Sequence, residues 1–392
     1  MCGRVKIMTK KIADCIHGTI VLSDLHVAVV DTPQFQRLRR VKQLGASCFV
    51  FASAEHSRFS HSIGVYHLAR QLMRTIQRHQ PELEISKRLV DLVSMAGLVH
   101  DLGHGPFSHL FDDGVLAHLP MTHDSLPRRH EERSCCIWRH IVNAFDIPVT
   151  PDEVNFVCAL ILPGVEHKDW FFDVVNNTRN ALDVDKMDYL VRDAHMAGLK
   201  YDLDIPRLLH DARVVDGRVA FPRNLEYEVL TVYRTRFILH KRLYNHPVVT
   251  GIDMLLTHVL LNAADCMAFD VVPKDWILPT DSIMDHIRAS TDPRLESAQK
   301  LLHRLDTRRL YRCVHESIVD GTNHVAVTHA TAPSHVVHVF VAGYTGDPTL
   351  EYPLSKVTFY DKRAPHAPVD RGIGQDEFKA IYQRCVRIYD TS

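Results

Sequence analysis

The sequence lacks the cysteine spacings of a disulfide framework or a zinc ribbon. Its nine cysteines are scattered along 392 residues without a CxxC pair, although Cys135 and Cys136 are neighbours. Scattered cysteines of this kind are typical of proteins kept in a reducing compartment. We therefore expect an intracellular protein, cytoplasmic or nuclear, without structural disulfides.

The sequence also lacks a surplus of either charge and any long apolar run. The formal net charge is -1, so a generally basic surface for nucleic acid is not indicated. The N-terminus has no apolar stretch of signal-peptide length, and no later run approaches the roughly 18 apolar residues of a membrane span. Internal repeats and low-complexity segments are absent as well. We expect a soluble protein with no membrane partner.

Apolar residues recur at helical spacing over most of the chain. An Asp-Gly pair between two alternating runs predicts a β-hairpin at 212–221. Strand-like runs at 336–341 and 357–360 change the character of the C-terminal part. The predicted fold class is mainly α, with a short β-hairpin and a small C-terminal α+β lobe. We expect a core at 12–270 and the lobe at 271–392.

The most chemically dense stretch, HDLGHGPFSHLFD, runs from His100 to Asp112 and follows an apolar lead-in. Three histidines and two aspartates would be costly at the end of a buried helix unless a metal, hydrogen bonds or a ligand satisfied them. Imidazole together with carboxylate suits iron, manganese or zinc. His109 and Asp112 are three residues apart on a short predicted helix, a spacing that allows this carboxylate to orient or charge this imidazole.

Two further stretches carry residue types that would complete such a site. Arg58 and His61 lie at the start of an amphipathic helix with Ser60 as its predicted cap, where an arginine and free backbone N–H groups can hold a phosphate. On a helix over 183–193, carboxylates share one face and Lys186 lies on the adjoining one. A satisfied core histidine and a solvated, salt-bridged helix are the plainer structural alternatives.

A basic segment follows the helix start predicted at Thr32-Pro33. This helix is predicted to continue through Leu44, with Arg37, Arg39 and Arg40 on its outer surface. A solvated basic face and an anion or nucleotide site are equally weighted interpretations of these arginines.

Five segments closely resemble the sterile-alpha-motif and HD-domain-containing family of deoxynucleoside triphosphate triphosphohydrolases. They are DTPQFQRLR at 31–39, HSRFSHSIGV at 56–65, AGLVHDLGHGPFSHLFD at 96–112, DVDKMDYLVRD at 183–193 and RTRFILHKRLYNH at 234–246. The resemblance runs from about Asp14 to VTFYDKRAP at 357–365. It implies a helical HD-domain phosphohydrolase core, which we expect to lack a sterile-alpha-motif domain before residue 12.

The resemblance further implies an enzyme that removes intact triphosphate from a dNTP. His61, His100, Asp101 and Asp185 match the family's H…HD…D metal ligands. The implied cofactors are one transition metal, iron, manganese or zinc, and Mg²⁺ on the substrate phosphates. Two imidazoles and two carboxylates would leave coordination positions open for water and a phosphate oxygen, as a catalytic site requires.

The same resemblance assigns other residues to parts of the nucleotide. Phosphate contacts are implied for Arg58, His104, His109, Lys186, Tyr189 and Arg236. His109 or His130 would protonate the leaving oxygen, with Asp112 and Glu131 as their carboxylate neighbours, and His109 is preferred. Gln43 and Asp193 match contacts to the 3′ hydroxyl, Leu44 and Tyr244 match a wall that excludes the ribose 2′ hydroxyl, and Asn245 replaces a glutamine near the base.

A guanine-nucleotide activator, GTP or dGTP, is implied by a further set of matches. These are Asp31, Gln36 and Arg39, with Arg308 and Arg312 near the activator phosphates. The family's activator lies between subunits, so a homo-oligomer, dimer or tetramer, is expected. Ala13 and Leu225 replace an asparagine and a lysine common at the nucleotide-contacting positions, so regulation can differ where catalysis does not.

Two other functions remain open. One keeps the metal site but acts on another phosphoester, such as a nucleoside monophosphate, a cyclic dinucleotide or nucleic acid, although a clamp of Arg58, Lys186 and Arg236 disfavours small monoesters. The other is a nucleotide sensor or weak single-stranded nucleic-acid binder that uses the arginines at 37–40 and the basic run at 304–312. Intact metal ligands and proton donors favour hydrolysis.

Overall fold

The mainly helical fold predicted from the sequence is confirmed by the computed structural model, which describes residues 9–122, 125–164, 168–319, 334–343, 353–370, 372 and 382–392. Its α-helices are α1 (Asp24–Val30), α2 (Pro33–Gln36), α3 (Arg58–His79), α4 (Lys87–Val99), α5 (His130–Ala144), α6 (Pro151–Ile161), α7 (Val184–Met196), α8 (Ile205–His210), α9 (Glu226–Leu239), α10 (Pro247–Met267), α11 (Ile283–Ala289) and α12 (Glu296–Asp306). Short 3₁₀-helices include Arg37–Arg40 and Gly45–Phe49, and π-helical segments lie at Leu110–Leu116 and His240–Tyr244.

Helices α3 and α4 pack against each other in the centre of the core. Ile63, Tyr66, Met73 and Ile76 of α3 are buried, and their spacing of three or more residues keeps them on one face. In α4 every residue from Val90 to Val99 is buried. The C-terminal end of α4 therefore lies inside the core, and the polar residues that follow it must be satisfied there.

An N-terminal hairpin of β1 (Lys10–Asp14) and β2 (Gly18–Leu22) covers one side of α3. Ile20 and Leu22 of β2 enter the core. The turn is held by Asp14, whose Oδ1 accepts hydrogen bonds from two backbone N–H groups of the turn, those of Ile16 and His17, both at 2.9 Å. This local capping gives the turn a defined shape.

The hairpin predicted at 212–221 is confirmed as β3 (Arg213–Val215) and β4 (Arg218–Pro222). Asp216 and Gly217 have φ values of 51° and 64°, the left-handed conformation that a two-residue hairpin turn needs. β4 also pairs in parallel with β7 (Thr358–Asp361), which pairs with β8 (Ala364–Val369). The resulting sheet joins residues from both sides of the boundary predicted after residue 270, and that boundary stays a prediction.

The C-terminal part contains a second sheet, in which β9 (Tyr382–Asp390) lies between β5 (Arg312–Val319) and β6 (His335–Gly343). With α11 and α12 it confirms the α+β character expected for this part of the chain. Helix α10 packs against α12 and β5. By length and mean hydropathy, 1.3, α10 passes the test for a membrane span within the described residues, as many buried core helices do. Ile252, Leu256 and Leu260 of α10 lie in the core.

The helix predicted from Thr32 to Leu44 is shorter than expected. Thr32 does cap it, since its Oγ1 accepts from the N–H of Phe35 at 3.3 Å. The α-helical part nevertheless ends at Gln36, and a 3₁₀ turn follows. Beyond it the chain pairs with the segment before α3 through an isolated bridge of Lys42 with Ser57, which competes with helix continuation.

Arg37 is not on the solvated face predicted for it. Its side chain is buried, and its Nη2 donates to the carbonyls of Leu102 at 2.6 Å and His104 at 2.8 Å. Burial lowers the pKa of Arg37 to about 9, and nearby Arg133 acts in the same direction. Arg37 therefore stabilises the turn after α4. It is not part of the basic surface that the sequence predicted for residues 37–40.

Candidate active site

Three helices position the predicted metal ligands. His61 lies in the first turn of α3, and because α3 begins at Arg58 the cap predicted at Ser60 is wrong. His100 and Asp101 follow the end of α4, while Asp185 lies in the first turn of α7. α3 packs against both α4 and α7, which brings the three helix ends together.

The four predicted ligands lie side by side, and His61, His100 and Asp185 form a group whose ligand atoms are within 4.8 Å of one another. Nε2 of His61 lies 3.0 Å from Oδ1 of Asp185 and 3.5 Å from Oδ2 of Asp101. Nε2 of His100 lies 3.3 Å from Oδ1 of Asp101 and 3.3 Å from Oδ1 of Asp185. The structure thus brings together two imidazoles and two carboxylates that are widely separated in sequence.

The Nδ1 atoms of both imidazoles already donate hydrogen bonds within the protein. Nδ1 of His61 donates to Oδ2 of Asp188 at 2.8 Å, and Nδ1 of His100 donates to the carbonyl of Gly97 at 2.9 Å. These bonds fix each ring so that Nε2 faces the carboxylates, as in metal sites generally. Nε2 of His100 is buried and has no hydrogen-bond partner. These donors fit a divalent transition metal.

The electrostatics of this cluster favour positive charge at its centre. Burial alone would lower the pKa of His61, but its hydrogen bonds with Asp185 and Asp188 raise it to about 10. The pKa of His100 is also raised, because Asp101 and Asp185 outweigh burial. Conversely, burial opposes ionisation of Asp185, yet the two imidazoles lower its pKa. A cation is what these carboxylates require.

Arg58 lies beside the predicted metal ligands and is buried. Its Nη1 donates to Oδ2 of Asp101 at 2.7 Å, and its Nε donates to Oγ of Ser108 at 2.8 Å. Phe107 and Ser108 have φ values of 58° and 61°, a region that non-glycine residues adopt at a cost. Ser108 also donates to the carbonyl of Lys42 at 2.7 Å, so this strained turn is tied down on both sides.

A second cluster, of His104, His109 and His130, lies beside the group of predicted metal ligands, which is the first cluster. The rings of His104 and His130 stack with centroids 3.9 Å apart, and His109 lies 5.0 Å from His104 and 5.3 Å from His130. Oδ2 of Asp112 accepts from Nδ1 of His130 at 2.8 Å, and its other oxygen accepts from Arg133. These two oxygens are therefore held by α5, and the prediction that Asp112 orients His109 is wrong.

Asp112 misses His109 because the backbone does not form the predicted α-helix there. The left-handed turn before His109 leads into the π-helical segment at Leu110–Leu116, which changes the spacing of side chains along the chain. Asp112 consequently points towards α5, where His130 is the first helical residue. Hydrogen bonds from His130 and Arg133 outweigh burial and lower the pKa of Asp112.

The second cluster has the opposite electrostatics from the first. Burial, helped by Arg58 and His130, lowers the pKa of His109 to about 4. The pKa of His104 is lowered well below its ordinary value, first by burial and then by the charge of Arg58. His104 and His109 are thus neutral near pH 7 and can accept or relay a proton.

A cavity of about 1060 Å³ connects the two clusters, at the upper end of the range for small-molecule sites. Its wall includes His100, Asp101 and Asp185, and all three histidines of the second cluster. All nine predicted substrate residues also line it: Gln43, Leu44, Arg58, Lys186, Tyr189, Asp193, Arg236, Tyr244 and Asn245.

Some polar groups of the cavity wall are paired and others have no partner. Asp193 accepts from Nε2 of His56 at 2.7 Å and from the hydroxyl of Tyr244 at 2.9 Å. By contrast, Nε of Arg236 and Oε1 of Gln43 are buried without a hydrogen-bond partner. An unsatisfied buried group costs about 1–3 kcal/mol. A polar ligand that contacts Arg236 and Gln43 would remove this cost.

The predicted activator residues lie away from this cavity, within the described part of the chain. Gln36 accepts from Nε of Arg39 at 2.8 Å, and Asp31 pairs with Lys10 at 2.5 Å, both close to the α1–α2 junction. Arg308 and Arg312 are exposed in the connection from α12 to β5 and at the start of β5. The first three residues form one patch, while the last two lie on a different element.

Comparison with known proteins agrees with the geometry of the site. The family model described as "HD domain" matches residues 58–193, a range that includes all four predicted metal ligands. Residues 58–193 of the chain therefore form an HD domain. The α3, α4 and α7 contacts described above are the helical framework of this HD domain.

Curated relatives of this HD-domain protein cover most of its length. The Deoxynucleoside triphosphate triphosphohydrolase SAMHD1 homolog of Dictyostelium discoideum is 37% identical over 317 residues, which are 79% of this chain and 61% of that protein. The human Deoxynucleoside triphosphate triphosphohydrolase SAMHD1 is 36% identical over 353 residues, 80% of this chain and 56% of the relative. The Putative HD domain-containing protein L394 of Acanthamoeba polyphaga mimivirus is 29% identical, covering 77% and 72%. The chain spans about three fifths of the first two relatives.

Several polar residues in and near the HD domain were missed by sequence reasoning. Asp188 and Arg192 pair behind His61, and their spacing of four residues on α7 was a visible signal for that contact. Arg133 donates a hydrogen bond to Asp112, and no local sequence pattern indicated this contact. Asp253 of α10 lines the cavity, where burial raises its pKa to about 7.

Proposed function

We propose that this HD-domain protein is a metal-dependent triphosphohydrolase that converts a dNTP to the deoxynucleoside and inorganic triphosphate. The observation that carries the proposal is one cavity lined by metal ligands, a set of cationic side chains and the predicted deoxyribose wall. The names of the Dictyostelium discoideum and human relatives support the same reaction and substrate class.

His61, His100, Asp101 and Asp185 would hold the transition metal, iron, manganese or zinc. When bound, such a metal supplies Lewis acidity to water and to a phosphate oxygen, and Mg²⁺ on the phosphates offsets their charge. Arg58, already bound to Asp101, would keep positive charge next to the α-phosphate. The identity of the metal stays a prediction.

The remaining phosphates would be held by the basic side of the cavity. Arg236 has a free Nε, and Lys186, which donates to Asp183 at 2.8 Å, lines the same wall with Tyr189. Fixed cationic groups of this kind stabilise charge that develops during phosphoryl transfer. The unpartnered ring nitrogens of His104 are further candidates for a phosphate contact.

We propose His130 as the group that protonates the leaving 5′ oxygen. Its Nδ1 is bound to Asp112, so its ring is oriented and its Nε2 is left for the cavity, the arrangement used by carboxylate-histidine pairs in general acid catalysis. His109, preferred from the sequence, has a pKa of about 4, so near neutrality and before substrate binds it is a neutral imidazole and a weak proton donor. His109 and His104 would instead contact the phosphates.

Selection of deoxyribose would come from another part of the cavity wall. Leu44 and Tyr244 are close to Gln43 and Asp193, the proposed partners of the 3′ hydroxyl. The hydroxyl of Tyr244 is bound to Asp193, which holds its ring in place and removes room for a 2′ hydroxyl. Asn245 would lie near the base, with its amide donating to the carbonyl of His240 at 2.9 Å.

Regulation by GTP or dGTP, and assembly into a homo-oligomer, are part of the proposal. The patch of Asp31, Gln36 and Arg39 would take the guanine edge, because its exposed carboxylate can accept from guanine N–H groups. Arg308 and Arg312 would contact the activator phosphates from another subunit. Weak single-stranded nucleic-acid binding and a cytoplasmic or nuclear location stay predictions.

The proposal is tested by identifying products. Purified protein with Mn²⁺ or Mg²⁺, with and without GTP, is given each of the four dNTPs, and products are separated by chromatography. We expect deoxynucleoside and triphosphate in equal amounts. Pyrophosphate or single phosphates as the initial product would reject the point of attack, and cleavage of monophosphates, cyclic dinucleotides or nucleic acid alone would favour the other phosphoesterase function.

A further inference from the structure

The turn of the N-terminal hairpin contacts Asp188, which lies behind the predicted metal ligand His61. Nε2 of His17 donates to Oδ1 of Asp188 at 2.6 Å, and Oδ2 of the same carboxylate accepts from Nδ1 of His61 at 2.8 Å. Asp188 therefore links the hairpin turn directly to a proposed metal ligand. His17 is far from the HD motif in sequence and belongs to a different element.

Asp188 has no freedom to turn while these contacts persist. Arg192 donates from Nε to Oδ2 at 2.8 Å and from Nη2 to Oδ1 at 2.9 Å, so each carboxylate oxygen accepts two hydrogen bonds. Asp188 is fully buried, and a Cβ added at Gly64 would lie 1.9 Å from its Oδ1. The carboxylate thus fills a slot in α3 that only glycine leaves open.

Asp14, in the same hairpin turn, contacts both Arg192 and His17. Its Oδ2 accepts from Nη1 of Arg192 at 2.8 Å, while its Oδ1 accepts from the backbone N–H of His17. Asp14 therefore holds two residues that donate to Asp188: Arg192 through its guanidinium and His17 through its backbone N–H. Because buried charges persist only when paired, loss of one member leaves the others unsatisfied.

We propose that His17 and Asp14 are positioning residues of the metal centre, holding Asp188 in the orientation that directs Nε2 of His61 at the metal. This inference rests on the proposed metal site. Asp188 is one hydrogen bond beyond the ligand His61, and loss of such a partner typically changes metal affinity by about 10–100-fold. His17 acts through Asp188, so its loss should have an effect near the lower end of this range. The N-terminal hairpin is then part of the catalytic apparatus and not only a cover for α3.

The test compares His17→Phe, His17→Gln and His67→Phe in the full chain. His67 is the matched control, since its ring lies 5.3 Å from that of His17 on α3. Phenylalanine keeps the ring volume and removes the donor, whereas the glutamine amide can replace the Nε2 donor. Mn²⁺ affinity is measured by titration against a chelator, and thermal melting without metal reports folding.

We expect Mn²⁺ to bind about tenfold more weakly to His17→Phe, the lower end of the range for a direct partner of a ligand. His67→Phe should keep wild-type affinity, and His17→Gln should recover most of it. Affinity of His17→Phe within about twofold of wild type would overturn the inference, as would equal losses for the phenylalanine and glutamine variants. If His17→Phe does not fold, Asp14→Asn is titrated in its place, with the same expected loss and the same overturning result.

The readout does not depend on turnover. Wild-type protein that binds Mn²⁺ but hydrolyses no dNTP would sink the proposed function, while the affinities of the variants would still decide the role of His17. Wild-type protein that binds no metal would overturn the proposed site and this inference together.

Discussion

His61 and His109 belong to neighbouring clusters, yet the pKa of His61 is raised to about 10 and that of His109 is lowered to about 4. Each belongs to a group of histidines and aspartate whose ligand atoms lie within 4.8 Å of one another. Residue types alone would therefore describe both groups as metal sites. The charged residues that contact each group distinguish the two.

In the first cluster, carboxylates contact both ring nitrogens of His61. In the second, the carboxylate of Asp112 is taken by His130 and Arg133, and His109 is left near the charge of Arg58. One cluster therefore attracts a cation and the other keeps neutral imidazoles available for proton transfer and phosphate contact. The comparison assigns different chemistry to two groups of similar composition.

The largest expected effect is from Asp101→Asn in the first cluster. Loss of this charge removes a proposed ligand and the partner of Arg58, so the loss of activity should exceed the roughly 100-fold typical of contacts beyond the ligands. Metal content by mass spectrometry and triphosphate release are the measurements. Asp265→Asn, an exposed change on α10, is the control. Full metal content and turnover in Asp101→Asn would contradict the assignment.

The next effect is expected from His130→Gln, which should lower kcat by about 10²–10⁴-fold without loss of metal, because it removes the proposed proton donor. His109→Gln should act mainly on KM, as a phosphate contact would. Steady-state kinetics and metal content are compared for both variants. A larger fall in kcat for His109→Gln would reverse the proposed roles.

Asp112→Asn should have a smaller effect, about 10–100-fold on kcat, since it weakens the orientation of His130 and leaves its proton in place. The chain should also melt at a lower temperature, because Arg133 is buried against this carboxylate. Kinetics and thermal melting measure the two effects. An unchanged kcat would mean that the contact of Asp112 with His130 is only structural.

The smallest effect is expected at Asp253, a cavity carboxyl without an imidazole partner. Burial raises its pKa from 3.8 to about 7, so the unfolded chain ionises more readily and the protein loses stability as pH rises from about 4 to 7. Asp253→Asn should raise Tm by a few degrees at pH 8, by less at pH 5.5, and should level off above pH 7. Equal gains at both pH values would contradict the shifted pKa.

The proposed ligands of the first cluster were predicted from the family resemblance, and their closeness in the structure agrees with that prediction. Local patterns also indicated that they lie at helix ends. His100 does follow a fully buried helix, and Asp185 does lie in the first turn of α7. The β-hairpin at 212–221 was predictable for a similar reason, since two residues with positive φ determine its turn.

The arrangement of the second cluster could not be predicted in this way. Asp112 reaches His130 only because a strained turn and a π-helical segment interrupt the helical spacing. Arg37 similarly left its expected surface position because the carbonyls of Leu102 and His104 needed donors inside the core. Both contacts depend on tertiary packing that local periodicity does not contain.

The parallel pairing of β4 with β7 has a consequence for how the chain folds during synthesis. The partner of Ala220 is Thr358, so the edge of β4 stays open while the ribosome adds the intervening residues. At roughly 5–20 residues per second, this interval is on the order of ten seconds. An open strand edge can pair with other chains, so we expect nascent protein to need chaperone protection until the C-terminal strands emerge.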